Sequence, residues 1–229
     1  MISAISVKDR LKKQAIEEKK TMQDKIVMYG LERTIYRLSI SKYAERFTLK
    51  GGIFLYALFN GDYTRATTDI DLLAQCISND IEEMKKVFKE IFYITEFKEY
   101  HGVKVSILGY LDKTKVPISI DIGFGDIVYP ERMKMDFPVL LDMDIPKVYA
   151  YSINSVVAEK FEAFVSLGLA NSRYKDFYDI YVLANRYNFD GTELMNAIKE
   201  TFNHRGTSFD DIAAFEDGFA DDETRLMRW

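Results

Sequence analysis

Apolar residues recur at helical spacing towards both ends of the chain. Over residues 7–40 they stand three and four positions apart, which predicts two helices with a break near residues 20–22. The same periodicity returns after residue 150 and predicts three more helices, over 152–169, 173–187 and 190–202. Both ends of the chain are therefore predicted to be mainly helical.

The middle of the chain alternates between apolar and polar residues, which is the pattern of β-strands. The alternation is clearest over 103–108 and 116–122, and the residues between these runs predict a hairpin turn. Further elements are predicted as a strand at 47–49, a helix at 53–59, a strand at 67–72 and a helix at 80–93. The segment 126–150 holds three of the four prolines and predicts a loop with a domain boundary.

Two carboxylates stand two positions apart in one of the predicted strands. Side chains at this spacing point to the same face of a strand, with Cα atoms about 7 Å apart, so Asp69 and Asp71 can converge. Like charges about 4 Å apart repel by about 4 kcal/mol at an effective dielectric of 20, unless they splay into water or share a cation. Asp121, in the strand 116–122, adds a third carboxylate. Three carboxylates on two strands favour a metal site over a set of half-exposed aspartates.

Several other polar features have both a structural and a functional interpretation. Gly51 and Gly52, between a strand and a helix, form either a plain turn or a place where backbone N–H groups approach an anion. Lys160 lies at the edge of an apolar helix stripe, where it either snorkels or leans into a cleft. Asp176 and Asp179 share one face in the first turn of a helix, where the helix dipole favours acids.

A basic cluster near the N-terminus also allows two interpretations. Its members form either a solvated helix face or a rim that faces a phosphate-bearing substrate. The cluster consists of Arg33, Arg37, Lys42 and Arg46.

Composition limits the possible functions. The chain has 229 residues, 48% of them hydrophobic, which is enough for a sizeable core. Its net charge of −5 supplies no general attraction to nucleic acid or membrane, so such contacts need a local basic patch. A single cysteine, Cys76, is typical of a reducing cytoplasm, and we expect no signal peptide and no membrane span. The two histidines lie in no recognisable catalytic triad.

Several ordered blocks over about residues 5–200 resemble the AbiEii/AbiGii toxin family. These proteins belong to the DNA polymerase β-like nucleotidyltransferase superfamily and act in abortive infection and toxin–antitoxin systems. The blocks lie at 31–39, 46–52, 65–71, 120–126, 159–163 and 173–179. The resemblance implies an α+β fold, with a minimal nucleotidyltransferase mixed sheet and flanking helices followed by a C-terminal helical bundle. We expect N-terminal helices over 1–45, the core over 46–150 and the helical domain over 151–229.

The resemblance also implies a mechanism. Asp69, Asp71 and Asp121 would hold two Mg²⁺ ions, and Asp121 would help to deprotonate the acceptor hydroxyl. Lys160 would reach the nucleotide phosphates, and Asp176, in the last motif, would contribute to activity by orienting Lys160 or a basic neighbour. The implied nucleotide contacts are Lys50, Gly51, Gly52, Arg65, Thr68 and Lys160. The implied substrate is an NTP, the acceptor is RNA at the tRNA 3′ end, and the partner is a cognate antitoxin.

Two departures from the family pattern bear on these expectations. The superfamily often has Gly-Ser at the phosphate turn, whereas this chain has Gly51-Gly52, so Thr67, Thr68 or Arg65 would have to supply the hydroxyl or phosphate contact. The chain also ends sooner than the resemblance leads us to expect. Two alternatives stay open: a nucleotidyltransferase with a small-molecule acceptor, and a non-catalytic module that binds a nucleotide or an antitoxin.

Overall fold

The computed structural model describes residues 2–63, 65–92, 96–100, 102–210, 212–219 and 221–227, without the side chains of 96–100, 102 and 224. The predicted helix end at residue 93 lies outside the described residues. The helices are α1 Ala4–Glu17, α2 Met22–Ser39, α3 Gly51–Leu58, α4 Ile81–Ile91, α5 Ile153–Leu167, α6 Tyr174–Arg186, α7 Gly191–Arg205 and α8 Glu223–Leu226. The strands are β1 Phe47–Lys50, β2 Asp69–Ala74, β3 Glu96–Tyr100, β4 Gly102–Leu111, β5 Thr114–Phe124, β6 Met133–Asp136 and β7 Lys147–Ala150. These elements confirm the predicted α+β class.

The strands form one mixed sheet in the order β3-β4-β5-β2-β1-β7-β6. The β2–β5 and β1–β7 pairs are parallel, and the other neighbours are antiparallel. The long hairpin of β4 and β5 follows from the alternation at 103–108 and 116–122, which buries one face of each strand. β2 therefore lies in the middle of the sheet, where it is paired on both sides.

The apolar face of the sheet packs against helices. Phe47 of β1 meets Phe88 of α4 edge to face, with ring centroids 5.5 Å apart. Gly30 of α2 lies so close to β5 that a Cβ on it would come within 2.7 Å of Val116. The burial of Ile70, Leu72, Ile120 and Ile122 on this face leaves the opposite face of the same strands for polar groups.

The segment 126–150 was predicted to be a loop, and this prediction is wrong because it contains β6 and β7. Each strand has only four residues, too few for a period-two pattern to stand out. They owe their strand conformation to pairing, since Thr48 of β1 lies opposite Tyr149 of β7, which in turn lies opposite Lys134 of β6. Non-local pairing of this kind leaves little trace in the local sequence.

Contacts divide the chain into two compact units. The first comprises Met1–Gly125 and Met133–Ala150, and the second comprises Asp126–Arg132 and Tyr151–Trp229. The predicted boundaries after residues 45 and 150 remain predictions. Among the described residues, no helix has both the length and the apolar character needed to cross a membrane.

Polar contacts fasten the short segment 126–132 to the helices of the second unit. The backbone carbonyl of Tyr129 accepts hydrogen bonds from the hydroxyls of Ser152 and Ser155, and its N–H donates to Ser155 Oγ at 2.7 Å. Its own hydroxyl accepts from the amide of Asn196 in α7 at 3.2 Å. The segment is therefore an integral part of the second unit.

Arg205, the last residue of α7, forms ion pairs with three carboxylates of the same unit. Arg205 lies 2.7 Å from Glu162, 3.0 Å from Asp126 and 3.1 Å from Glu159. Burial disfavours its charge, but the hydrogen bond to Glu162 and the charges of Glu159 and Asp126 outweigh that penalty and raise the pKa of Arg205. The cluster joins α5, α7 and the segment 126–132.

Candidate active site

A row of four charged side chains crosses the polar face of the sheet. In the strand register, Lys50 of β1 lies opposite Asp71 of β2, Asp71 lies opposite Asp121 of β5, and Asp121 lies opposite Lys104 of β4. Directly opposed residues share a face of the sheet, so the two acids stand side by side between two lysines. Two residues along β2, Asp69 joins the same face.

The structure brings the three predicted carboxylates together. Asp69, Asp71 and Asp121 each offer an oxygen atom within 4.8 Å of the oxygens of the other two. All three side chains are half-buried, while Ile70 between the first two faces the core. Three acids at this distance repel one another, and a cation among them would relieve the repulsion.

The donor set fits a hard divalent cation. Mg²⁺ prefers oxygen ligands at 2.0–2.1 Å, usually one or two carboxylates completed by water and phosphate oxygens. Ser119 lies opposite Asp69 in the register, and its Oγ is buried without a hydrogen-bond partner among the described residues. A hydroxyl without a partner beside three carboxylates can hydrogen-bond a water of a hydrated ion, so these residues fit the group that the sequence predicted.

Gly51 is required by its contact with Asp71. A Cβ built on Gly51 would lie 1.9 Å from Oδ2 of Asp71, and the φ angle of +66° is one that L side chains rarely adopt. The register explains the contact, because Gly51 follows directly after Lys50, which faces Asp71. This glycine therefore makes room for a carboxylate of the acidic triad.

Basic groups gather at the first turn of α3. Lys50 is the N-cap residue and makes no side-chain capping bond. A Cβ on Gly52 would lie 2.8 Å from the guanidinium of Arg65 and 3.0 Å from Oγ1 of Thr67. A helix N-terminus carries partial positive charge and attracts anions, so adding an arginine and a lysine makes this end strongly attractive to phosphate. Thr67 and Arg65 thus lie beside Gly52, the position at which the superfamily often has serine.

A cavity of about 1000 Å³ lies beside Arg65 and Thr67, the two side chains next to Gly52. Arg65, Thr67 and Thr68 line one side, so the cavity reaches the residues just before Asp69. Tyr56, another lining residue, has its pKa raised to about 12, mainly by burial and further by the charges of Glu32 and Glu18. The phenol is therefore a neutral hydrogen-bonding group.

The second unit contains a buried ion cluster. Nζ of Lys160 lies 2.8 Å from Asp176 and 2.7 Å from Asp179, and all three side chains are at least nine-tenths buried. Nε of Arg173 lies 2.6 Å from the other oxygen of Asp176. Lys160 therefore neither snorkels to solvent nor stands alone. Each aspartate binds a cation directly, which is a stronger interaction than compensation of a helix dipole.

Sequence reasoning missed three residues beside the predicted ones. Asp179 was placed on the same helix face as Asp176, but it was interpreted only as compensating the helix dipole, and its ion pair with Lys160 was not predicted. Lys104 and Ser119 are ordinary polar-face residues of their strands, and their pattern shows nothing unusual. Only the strand register, which the sequence does not give, places them next to Asp121 and Asp69.

Within the described part of the chain, three members of the basic cluster have protein partners. Nε of Arg33 lies 3.0 Å from Glu32. Lys42 lies 2.5 Å from Glu90, and Arg46 donates to the carbonyl of Cys76 at 2.7 Å. Lys42 and Arg46 are nevertheless exposed, as is Arg37, so the cluster presents positive charge to solvent.

Carboxylates on a mixed sheet lie beside a helix start that is rich in glycine and basic groups, and together they form a candidate site for cations and phosphates. Residues 33–228 match the family model described as "Nucleotidyl transferase AbiEii toxin, Type IV TA system", in which TA denotes toxin–antitoxin. The chain therefore belongs to this family of nucleotidyltransferase toxins, and the resemblance found in the sequence is confirmed. The matched region contains every predicted site residue. A search of curated proteins found no match.

Proposed function

We propose that this protein is a Mg²⁺-dependent nucleotidyltransferase that transfers NMP from an NTP to RNA, at the 3′ end of tRNA. The observation that carries the proposal is the convergence of three carboxylate oxygens within 4.8 Å beside the first turn of α3. Membership of a nucleotidyltransferase toxin family supports the reaction class. We place the reaction in the cytoplasm, where its substrates are available.

Asp69, Asp71 and Asp121 are the proposed metal ligands. When bound there, Mg²⁺ neutralises the phosphates and favours in-line displacement at the α-phosphorus. Asp121 is the proposed base that takes the proton of the acceptor hydroxyl. The acceptor oxygen forms a bond to the α-phosphorus, and the bond from that phosphorus to the pyrophosphate oxygen breaks.

The phosphates are assigned to the first turn of α3. Lys50 and Arg65 supply positive charge, and Gly51 and Gly52 allow the backbone to approach closely. Thr68, which is exposed and lines the neighbouring cavity, supplies a hydroxyl. Arg65 and Thr68 also line the cavity of about 1000 Å³, whereas Lys50, Gly51, Gly52 and the three aspartates do not, so the cavity supports only the nucleotide contacts of Arg65 and Thr68.

Lys160 and Asp176 are proposed to act together. The two direct carboxylate contacts of Lys160 fix its ammonium in one position, so Asp176 acts by orienting the lysine. Lys160 is in turn proposed to bind nucleotide phosphate. Lys160→Met should then raise the KM for NTP more than Lys175→Met does. Lys175 is the control because it is an exposed lysine on α6.

RNA is the proposed acceptor, and the exposed positive charge of Arg37, Lys42 and Arg46 supports it. Each phosphate neutralised adds affinity that salt weakens, so RNA binding should fall steeply between about 50 and 200 mM salt. Binding that does not respond to salt would favour a small-molecule acceptor. A cognate antitoxin is proposed as partner on the strength of the family description.

The test is incubation of the purified protein with each α-³²P-labelled NTP, Mg²⁺ and total bacterial RNA. We expect label in a tRNA-sized band, and no label from Asp69→Asn. Asp112→Asn is the matched control, because Asp112 lies in the exposed β4–β5 turn at a φ of +54° that asparagine tolerates. NTP binding without any labelled product would support the non-catalytic alternative.

A further inference from the structure

Lys104 makes a close ion pair with one carboxylate of the acidic triad. Its Nζ lies 3.0 Å from Oδ1 and 3.2 Å from Oδ2 of Asp121, so one ammonium contacts both oxygens. The pair follows from the strand register, in which the two residues stand directly opposite each other on β4 and β5. The side chains are 40% and 38% exposed, so the pair borders solvent.

This ion pair conflicts with metal binding at the same carboxylate. An oxygen of Asp121 that enters the coordination sphere of a divalent cation has to share its lone pairs with the ammonium or lose that contact. The ammonium and the cation would also lie within a few ångströms of each other and repel. Lys104 and the metal therefore compete for Asp121.

The lysine can withdraw at little cost. Its four-carbon stem is flexible and its ammonium is strongly hydrated, and the half-exposed position gives it a path to water. Lys160 shows the opposite situation, because it is nine-tenths buried and held by two carboxylates. Of these two lysines, Lys104 is therefore the one whose ammonium can leave its carboxylate for water.

We propose that Lys104 is the resident counter-ion of the acidic triad, which a divalent cation must displace from Asp121. Lys104 thereby lowers the affinity of the free protein for the metal and acts as a positioning residue for Asp121. The inference rests on the proposed function, since it takes Asp69, Asp71 and Asp121 as the metal ligands.

The test is titration of the full chain with Mn²⁺ by calorimetry, without nucleotide. Removing the competing charge in Lys104→Met should lower the Kd by about tenfold, which corresponds to about 1.4 kcal/mol. Lys104→Arg keeps the charge and should stay within about twofold of the wild type. Lys115→Met is the matched control, because Lys115 is exposed on β5 about 20 Å along the strand from Asp121 and should also leave the Kd unchanged.

A second measurement uses the wild type alone and does not depend on any variant folding. Mn²⁺ should increase the rate at which an amine-reactive acetylating reagent modifies Lys104, read by peptide mass spectrometry, and should leave the rate at Lys115 unchanged. An unchanged rate at Lys104 at saturating Mn²⁺ would overturn the inference.

The outcomes separate the inference from the proposed function. If the wild type binds Mn²⁺, Asp121→Asn loses that binding and Lys104→Met binds no more tightly, the inference is wrong while the metal site stands. If neither the wild type nor Lys104→Met binds Mn²⁺, with or without NTP, the metal-dependent function itself is wrong.

Discussion

The two acidic clusters of this protein differ in how their charges are balanced. In the first unit three half-buried carboxylates lie within 4.8 Å of one another, and Lys104 makes an ion pair with Asp121 at a position that is open to solvent. In the second unit Asp176 and Asp179 are fully buried, yet Lys160 and Arg173 match their charge. An excess of like charge is tolerated where water or a ligand can compensate it, whereas a buried charge needs its partner from the protein. The first cluster is therefore suited to binding, and the second to holding one cation in place.

The largest effect should come from neutralising an acid of the open cluster, which is our name for Asp69, Asp71 and Asp121. Asp69→Asn is expected to lower nucleotidyl transfer by at least about 1,000-fold, because it removes a charged ligand of the proposed cation that would neutralise the phosphates. It should leave the melting temperature within about 2 °C, since it also removes a repulsion. Labelled transfer and thermal melting measure the two effects. A drop in melting temperature as large as that of a core mutation would mean that the triad is structural.

The closed cluster, which consists of Asp176, Asp179 and their partners Lys160 and Arg173, should respond in the opposite way. Asp179→Asn leaves Lys160 buried with one fewer anion and should destabilise the protein by about 3 kcal/mol. Urea unfolding followed by circular dichroism measures it. The control is Asp190→Asn at the N-cap of α7, where asparagine caps as well as aspartate and the change should be under about 0.5 kcal/mol. Equal effects of the two substitutions would remove the distinction between the clusters.

The contact between Gly51 and Asp71 predicts a smaller, mixed effect. Gly51→Ala places a methyl group against the carboxylate and adopts an unfavourable φ, so it should cost about 2 kcal/mol of stability and lower activity by about 10- to 100-fold. Gly109→Ala in β4 is the control, since its Cβ would meet neighbours only at ordinary contact distance. Full activity in Gly51→Ala would mean that the close contact with Gly51 does not determine the catalytic position of Asp71.

Glu32 of the first unit tests whether burial or the number of polar partners determines the effect of a buried carboxylate on stability. It is buried, accepts from the N–H of Leu140 at 2.7 Å, and lies 3.0 Å from Arg33 without being aligned for a hydrogen bond to it. Burial raises the pKa of Glu32 above its usual 4.5 despite these partners. The folded state therefore holds the proton more tightly than the unfolded state, and ionised Glu32 destabilises the protein.

The pH dependence of Glu32→Gln follows from this sign. The cost of ionised Glu32 is fully present above its raised pKa and is lost as the pH falls towards 4.5. Glu32→Gln should therefore be more stable than the wild type by about 1 kcal/mol at pH 8, and this gain should vanish near pH 4.5. Thermal melting across this range measures it, with the exposed Glu17→Gln of α1 as control. A gain that is independent of pH would show that the charge of Glu32 is not the cause.

The sequence predicted the open cluster better than the closed one. Two acids at a spacing of two within a strand determine a shared face, so Asp69 and Asp71 could be identified without a structure. Asp121 needed the added assumption that its strand lies near theirs, which the β2–β5 pairing supplies. Lys160 and Asp176 lie sixteen residues apart on separate helices, and their contact depends on helix packing that local periodicity does not determine.

Strand register explains most of what the sequence could not provide. β7 exists through its pairing with β1, and β6 through its pairing with β7. Lys104 meets Asp121 because the register of β4 and β5 places the two residues directly opposite each other. A shift of one residue would turn Lys104 to the other face. Periodicity states which residues share a face of one strand, but it does not state which residues of the next strand lie opposite them.

The attachment of the segment 126–132 has a practical consequence for protein engineering. A fragment that begins at residue 151 would leave the hydroxyls of Ser152 and Ser155 without the carbonyl of Tyr129, and Arg205 without Asp126. Residues that are remote along the chain would have to be supplied as a separate peptide or fused ahead of α5 through a short linker. The smallest expressible form of the helical unit is therefore a rearranged chain, and a simple truncation would omit part of its structure.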